Sequence, residues 1–453
     1  MQRTWKLPFA FFVLALVVRL LLLYGPYDNL RHGSAEAYGS AALGLYTGKG
    51  LTLNADEVLA LQSTSSNLTG DYRTVTGDRP RVPFTEFLPG PALLTAGLWT
   101  MLPVYNFAPY LYVQILLESV LIGVFCAVFL PYHRVVVILT TAAMVLNVAV
   151  IRRTLMMGYD FWPQFTVLAT VAGVVYILAT DKPLRWYVLL GCVTAITLWF
   201  RDITTLLPVG IGLVLFFVSK KRKVPTRRII GRVAGYLAPF LVSIVLLSVL
   251  RYETTGSFRP TRSTFWHTFM AGVGQFSNPY GIVHSDESVW EYATTLNPAL
   301  AASTLPAMSQ LPDSPYEMLL KEKAGEFVTQ HPELALRNTF FRTVIMIAPA
   351  FYEEGDFMPR SVARQIYPAG FVLLLLWILG MIHMRREYSL LFFVSLAVYC
   401  TFMVSFSWFY VVGRTILPFI FLSVMIWLFG TIEAFVLIRK AARTVRARVS
   451  QRP

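Results

Sequence analysis

Apolar runs long enough to cross a lipid bilayer recur from one end of this 453-residue chain to the other. Roughly 20 consecutive apolar residues span the hydrocarbon core, and inside it each backbone N–H and C=O must be satisfied within its own segment. A chain made of such runs is restricted to helices. Candidate spans fall at residues 7–24, 109–130, 134–150, 162–179, 186–200, 203–219, 229–250, 368–384, 388–407 and 414–437. Composition agrees: 14% of residues are charged and 56% hydrophobic, against roughly 25% charged in a soluble domain. The expected fold class is an all-α integral membrane protein. It is a bundle of about 10–13 transmembrane helices with two long outer-side loops that contain interfacial helices.

The net charge of +14 invites a nucleic-acid reading, which the positions of the charges exclude. His133 and Arg134, Lys182 and Arg185, Lys220 to Lys223 with Arg227 and Arg228, then Arg385 and Arg386 all fall in alternate connections. The tail Arg439–Arg452 joins them. This is the positive-inside pattern, and ten spans with both termini cytoplasmic satisfy it. Arg3 and Lys6 precede the first run, which reads as a transmembrane helix rather than a cleaved leader. The expected location is the cell (inner or plasma) membrane, with the working face on the periplasmic or extracellular side and membrane lipids as partners. Residues 89–105, opening Pro89-Gly90-Pro91, and 338–351, with Arg342 mid-run, do not fit as spans. Both read as helices in the interface or packed on the outer side. Cys126, Cys192 and Cys400 lie inside predicted spans without metal-like spacing and read as small apolar core residues.

The expected organisation is an N-terminal transmembrane module (1–250) whose first outer loop (25–108) carries the catalytic region. A large outer-side loop (251–367), C-terminal transmembrane helices (368–438) and a basic cytoplasmic tail (439–453) follow. Loops this long are usually functional or disordered; aromatics, Pro-Gly turns and helix-like stretches at 34–47 and 315–330 point to order. Charged residues mark the outer helix ends: Asp28, Glu36, Glu86, Asp160, Arg201, Asp202 and Arg414. Ionisable groups at a membrane edge are functional candidates by default. Anchors and inter-helix ion pairs are the bland explanation of any one of them, and their convergence on one side weakens it for the set. Glu118, beside Gln114 and Ser119, reads as a buried helix–helix hydrogen-bonding group. The Asn67-Leu68-Thr69 sequon reads as chance, and His267 and His284 are too isolated to be ligands.

The order of these features resembles that of GT-C class membrane glycosyltransferases, the bacterial relatives of protein O-mannosyltransferases and of the lipid A aminoarabinose transferase. Tyr38 with Gly48-Lys49-Gly50, Glu86 with Pro89-Gly90-Pro91, Asp160, Arg201, Arg251 to Pro260, and Gly413-Arg414 with Leu417-Pro418 carry the likeness across nearly the whole chain. The family's first-loop acid precedes the Tyr by four residues, where this chain has Ser34. Glu36 lies two residues further on, about 200° around an ideal helix. Glu36, Asp28 and an altered or lost activity all stay open.

The resemblance implies inverting transfer of a sugar from a polyprenyl-phosphate-linked donor to a lipid, glycan or protein acceptor on the outer face. A phosphate leaving group departs without a general acid, so one carboxylate serves as base for the acceptor hydroxyl. Arg201 and Arg414, with Tyr38 nearby, are the expected phosphate and donor contacts, since guanidinium binds phosphate oxygens bidentately. Glu86 and Asp160 would hold a divalent metal, Mg or Mn, or orient the arginines. The rival readings are a lipid-linked saccharide transporter or flippase, an oligosaccharide ligase, and a noncatalytic partner subunit.

Overall fold

The computed structural model describes residues 5–31, 34–64, 66–85, 87–260, 264–302, 314–348, 360–408 and 413–450, without the side chains of 360–368, 406–408, 413–416 and 447–450. Eighteen α-helices account for most of these residues. α1 (Lys6–Leu23) enters the bundle. A first long connection then carries α2 (Ala35–Tyr46), α3 (Ala55–Gln62) and α4 (Gly90–Met101). α5 (Ala108–Phe129), α6 (Arg134–Leu146), α7 (Val148–Thr154), α8 (Phe161–Thr180), α9 (Leu184–Phe200), α10 (Leu207–Lys221) and α11 (Thr226–Thr255) follow with short turns. The second long connection holds α12 (Phe265–Val273), α13 (Asp286–Leu296), α14 (Pro315–Gln330) and α15 (Pro332–Ile347). α16 (Arg360–Glu387), α17 (Ser389–Trp408) and α18 (Gly413–Ser450) complete the described chain. Its sheet is one antiparallel pair, Thr52–Leu53 with Val82–Pro83.

This is a polytopic α-helical membrane protein. Among the described residues seven helices are long and apolar enough to cross a membrane, and the bent pair α6–α7 makes up to eight. Two shorter apolar helices, Leu184–Phe200 and the described part of α17, fall on the remaining expected spans. Large apolar side chains such as Leu21, Phe217, Leu241 and Phe371 point outward, as lipid-facing positions do when lipid replaces water. Residues 134–150 depart from expectation. They are not one straight span, because the helix bends by 56° between Leu146 and Val148. Asn147 has extended backbone and its side chain accepts from the Val150 N–H, so it restarts the chain as the N-cap of α7.

Helix pairs inside the bundle close on glycine. A Cβ at Gly380 would lie 2.0 Å from the Ile426 carbonyl, and one at Gly430 would lie 1.8 Å from that of Leu376. α16 and α18 therefore meet backbone to backbone, the small-residue packing expected where lipid offers no hydrophobic drive between helices. The stretches set aside as non-spans are α4 and α15, both packed against the bundle. Helices expected at 34–47 and 315–330 are α2 and α14.

Candidate functional site

At the end of the bundle that bears the long connections, Asp160 sits at the N-cap of α8 without using its carboxylate as a cap. Instead Oδ1 accepts from Arg201 Nη1 at 2.9 Å and Oδ2 from Arg153 Nη1 at 3.1 Å. Asp160 and Arg201 are 6% and 7% exposed, so this array is held in low dielectric, where paired charges interact strongly and unpaired ones are costly. The Tyr159 ring lies 4.3 Å below the Arg201 guanidinium carbon, a cation–π contact that orients the fork. Tyr38 of α2 packs edge-on to Tyr159 at 6.0 Å and against Phe84 and Phe87.

Aromatic packing sets the spacing. Arg201 follows the last residue of α9, Phe200, whose ring stacks on Trp162 at 4.0 Å. Trp162 donates to the Tyr110 hydroxyl at 2.8 Å, and Tyr110 donates to the Gly158 carbonyl. The start of α8 and the end of α9 are thereby locked together, and the Asp160–Arg201 pair rides on that lock.

Glu36 and Asp28 gather around Arg31 and the Tyr72 phenol. Arg31 pairs its backbone with Met157, three residues before Asp160, and its side chain donates to Asn67, the Leu61 carbonyl and the Ser66 carbonyl. Its Nη1 stands 3.8 Å from Glu36 Oε1. Glu36 lies in the first turn of an ordinary helix and points to this side of α2, while Tyr38 points to the Arg201 side. Arg31 meets the 157–160 turn at Met157 and Tyr38 meets it at Tyr159. Asp28 accepts from Ser66 Oγ at 2.8 Å. The Tyr72 phenol is pushed up to about 12, first by burial, with Arg31 opposing and Glu36 and Asp28 adding to the rise. Asn67 is fully buried and bonded on both sides of its amide, so its sequon is structural.

Arg251, in the last turn of α11, donates to the carbonyls of Phe84, Thr85 and Phe87. It clamps the backbone on both sides of position 86. Gly90 then packs against the Trp199 carbonyl, 2.5 Å from where a Cβ would stand, and this holds the start of α4 beside the end of α9. Glu86 itself and the Arg414 side chain lie outside the described residues.

The structure thus brings Tyr38, Asp160 and Arg201 together and places Glu36 and Asp28 across the turn. Among the described residues no group of three His, Cys, Asp or Glu side chains could hold a metal ion. Both Asp160 oxygens face guanidinium, so this carboxylate is matched to cations already in the chain. Sequence reasoning missed Arg31, Arg153 and Arg251 as participants. Arg152-Arg153 carried a usable signal: two cations at the connection where positive-inside logic wants none.

No family model matches the chain, and none of the curated proteins does. Among solved structures the fold is similar to that of ArnT from Cupriavidus metallidurans bound to undecaprenyl phosphate. The TM-score is 0.41 at 13% identity, with 91% of this chain and 77% of that chain covered. The same protein in the apo state gives 0.35 at 13% identity, covering 90% and 76%.

Proposed function

We propose that this protein is a membrane glycosyltransferase that moves a sugar from a polyprenyl-phosphate carrier to an acceptor hydroxyl on a lipid, glycan or protein. The observation that carries the reading is the buried Arg153–Asp160–Arg201 array, with Arg201 seated on Tyr159 at the loop-bearing end of an apolar bundle. A guanidinium carries five N–H donors, and Arg201 gives one nitrogen to Asp160, so its fork can also meet the oxygens of a phosphate. The bond from the sugar's anomeric carbon to the phosphate oxygen breaks with its electron pair on the phosphate. The acceptor oxygen forms the new bond from the opposite face. Glu36, across the 157–160 turn, takes the acceptor proton. Charge develops on the leaving phosphate, so Arg201 acts chiefly in the transition state. The active site faces the periplasmic or extracellular side of the inner or plasma membrane, with both termini cytoplasmic, a sidedness that the positions of the basic connections favour.

The test is transfer by the purified full-length chain with a panel of polyprenyl-phosphate sugars. Arg201→Ala lowers the rate on the order of a hundredfold, about 3 kcal/mol of transition-state stabilisation. Arg73→Ala, on the exposed rim, leaves it unchanged. Arg342 is no control: it is buried, donates to the Gly272 carbonyl and Gln275, and ties α15 to α12. Equal, mild effects of Arg201→Ala and Arg73→Ala would reduce Arg201 to an anchor, and a wild type that consumes no donor would favour a transporter or partner subunit. Cysteine labelling in intact cells tests the sidedness: the loop at 220–232 is shielded from outside and 264–302 is reached.

A further inference from the structure

Below the array lies a second polar cluster that the proposed reaction does not use. Arg19 of α1 and Glu118 of α5 form an ion pair at 0% and 2% exposure. Glu118 also accepts from Thr154 Oγ1 and from Gln164 Nε2, the latter at 2.9 Å. Arg19 donates onward to the carbonyl of Met144 at 3.3 Å. Stability alone does not explain such a pair, because replacing a buried ion pair by apolar side chains is often neutral or stabilising.

Its partners do explain it. Met144 lies in the last turn of α6, just before the 56° bend. Thr154 ends α7 and is the direct neighbour of Arg153. Gln164 stands one turn after Asp160 on α8. Every bond the pair makes beyond its own helix therefore goes to a segment that aims a member of the array. α7 has seven residues, too few to persist as a helix without tertiary anchors. The Thr154 hydroxyl, turned toward Glu118, sets the rotation of this short hook about its axis. Arg153, about 100° further round, is thereby turned to Asp160.

We propose that Arg19 and Glu118 are positioning residues. The buried pair pins the α6–α7 bend and the α7 hook so that Arg153 meets Asp160 and completes the anion site with Arg201. The proposal rests on reading the array as a phosphate site. It also makes a claim about hook placement that stands without any substrate.

The experiment uses the full-length chain in lipid nanodiscs, with undecaprenyl phosphate as the probe. Arg19→Met combined with Glu118→Leu removes both charges and leaves none unpaired. This double variant melts near the wild type and binds undecaprenyl phosphate at least about tenfold more weakly, the scale of coupling between residues in one network. In a chain whose exposed Cys192 and Cys400 are replaced by Ser, an Arg153→Cys thiol reacts slowly with a charged maleimide. Adding the double substitution speeds that reaction several-fold. Thr154→Val, which deletes one donor and no charge, gives the same changes in smaller measure should the double variant fail to fold. Wild-type affinity and unchanged labelling in a folded double variant, or in Thr154→Val, would overturn the proposal. A wild type that does not bind undecaprenyl phosphate would defeat the proposed function, while faster labelling would still support the pinning.

Discussion

The two long connections solve the same problem in opposite ways. The second, carrying α12 to α15, builds its own apolar core: Phe269, Met270, Val289, Tyr316, Leu320 and Phe327 pack on one another. It also closes its own polar groups. His267, buried, reaches Tyr316 on one ring nitrogen and Asp286 on the other. Glu317 accepts from the Trp266 and His267 N–H groups, capping α12 from another helix. Among its described residues the first connection has no core separate from the bundle. Its Tyr38, Phe84, Phe87 and Trp99 share a cluster with Tyr110, Phe161, Trp162 and Phe200 of the bundle, and bundle residue Arg251 holds its backbone. A segment that cannot fold apart from the bundle takes its geometry from the bundle. Its own ion pairs, Glu57 with Arg81 and Glu36 with Arg31, are held in this way beside the bundle's Asp160 array.

The sharpest way to break this comparison is to show that the first connection carries no chemistry. Glu36→Gln keeps the shape and removes the basicity. Transfer falls by about 10²–10⁴-fold, the usual contribution of a general base, with affinity for undecaprenyl phosphate nearly intact. Adding Ser34→Asp to that variant restores activity if the site tolerates a carboxylate on the Tyr38 face of α2. Full activity in Glu36→Gln alone would remove the base from this loop.

Arg251→Met tests the dependence on the bundle. It leaves the carbonyls of Phe84, Thr85 and Phe87 without their donor, and each buried orphan costs about 1–3 kcal/mol. Limited proteolysis cuts the 66–85 stretch in this variant well below the melting temperature, and transfer drops with it. Cleavage unchanged from wild type would mean that the segment holds itself.

Glu317→Ala is the matching substitution in the second connection, and its effect is smaller. A lost helix cap costs about 0.5–2 kcal/mol, here confined to α12–α14, which share a core of their own. Hydrogen exchange quickens across 264–302 and 314–330 and stays unchanged across 34–64, while the transfer rate holds. Faster exchange in both connections would erase the distinction.

The contrast also explains what could be read in advance. Spans and the helices at 34–47 and 315–330 were legible because hydrophobic period and length are local properties. The bend at Asn147 was not, since an Asn inside an apolar run reads equally as a tolerated polar residue. Among site residues, Asp160 and Arg201 stood out as charges at helix ends. Their pairing did not, because it depends on Trp162 stacking on Phe200 across two helices. Arg31 and Arg251 were invisible as clamps, since their partners are mostly backbone carbonyls, which every residue type supplies equally. His267 looked isolated because Tyr316 and Asp286 lie 49 and 19 positions away.

The smallest expected effect belongs to Asp28→Asn, and it separates the two first-loop carboxylates. Asp28 already has an occupation: its side chain accepts from Ser66 Oγ, and its backbone carbonyl accepts from the Asn67 N–H. An Asn keeps the accepting oxygen and loses only the charge. Glu36 has a looser setting, an arginine at 3.8 Å, which leaves its oxygens able to take a proton from an incoming hydroxyl. If that difference decides the chemistry, Asp28→Asn stays within about 0.5 kcal/mol of wild type in stability, and within about twofold in transfer rate. A dead Asp28→Asn beside an active Glu36→Gln would move the base to Asp28 and leave the array around Asp160 untouched. Activity in both variants would take the base out of the first connection, and a ligase-like mechanism would then fit better than the one proposed.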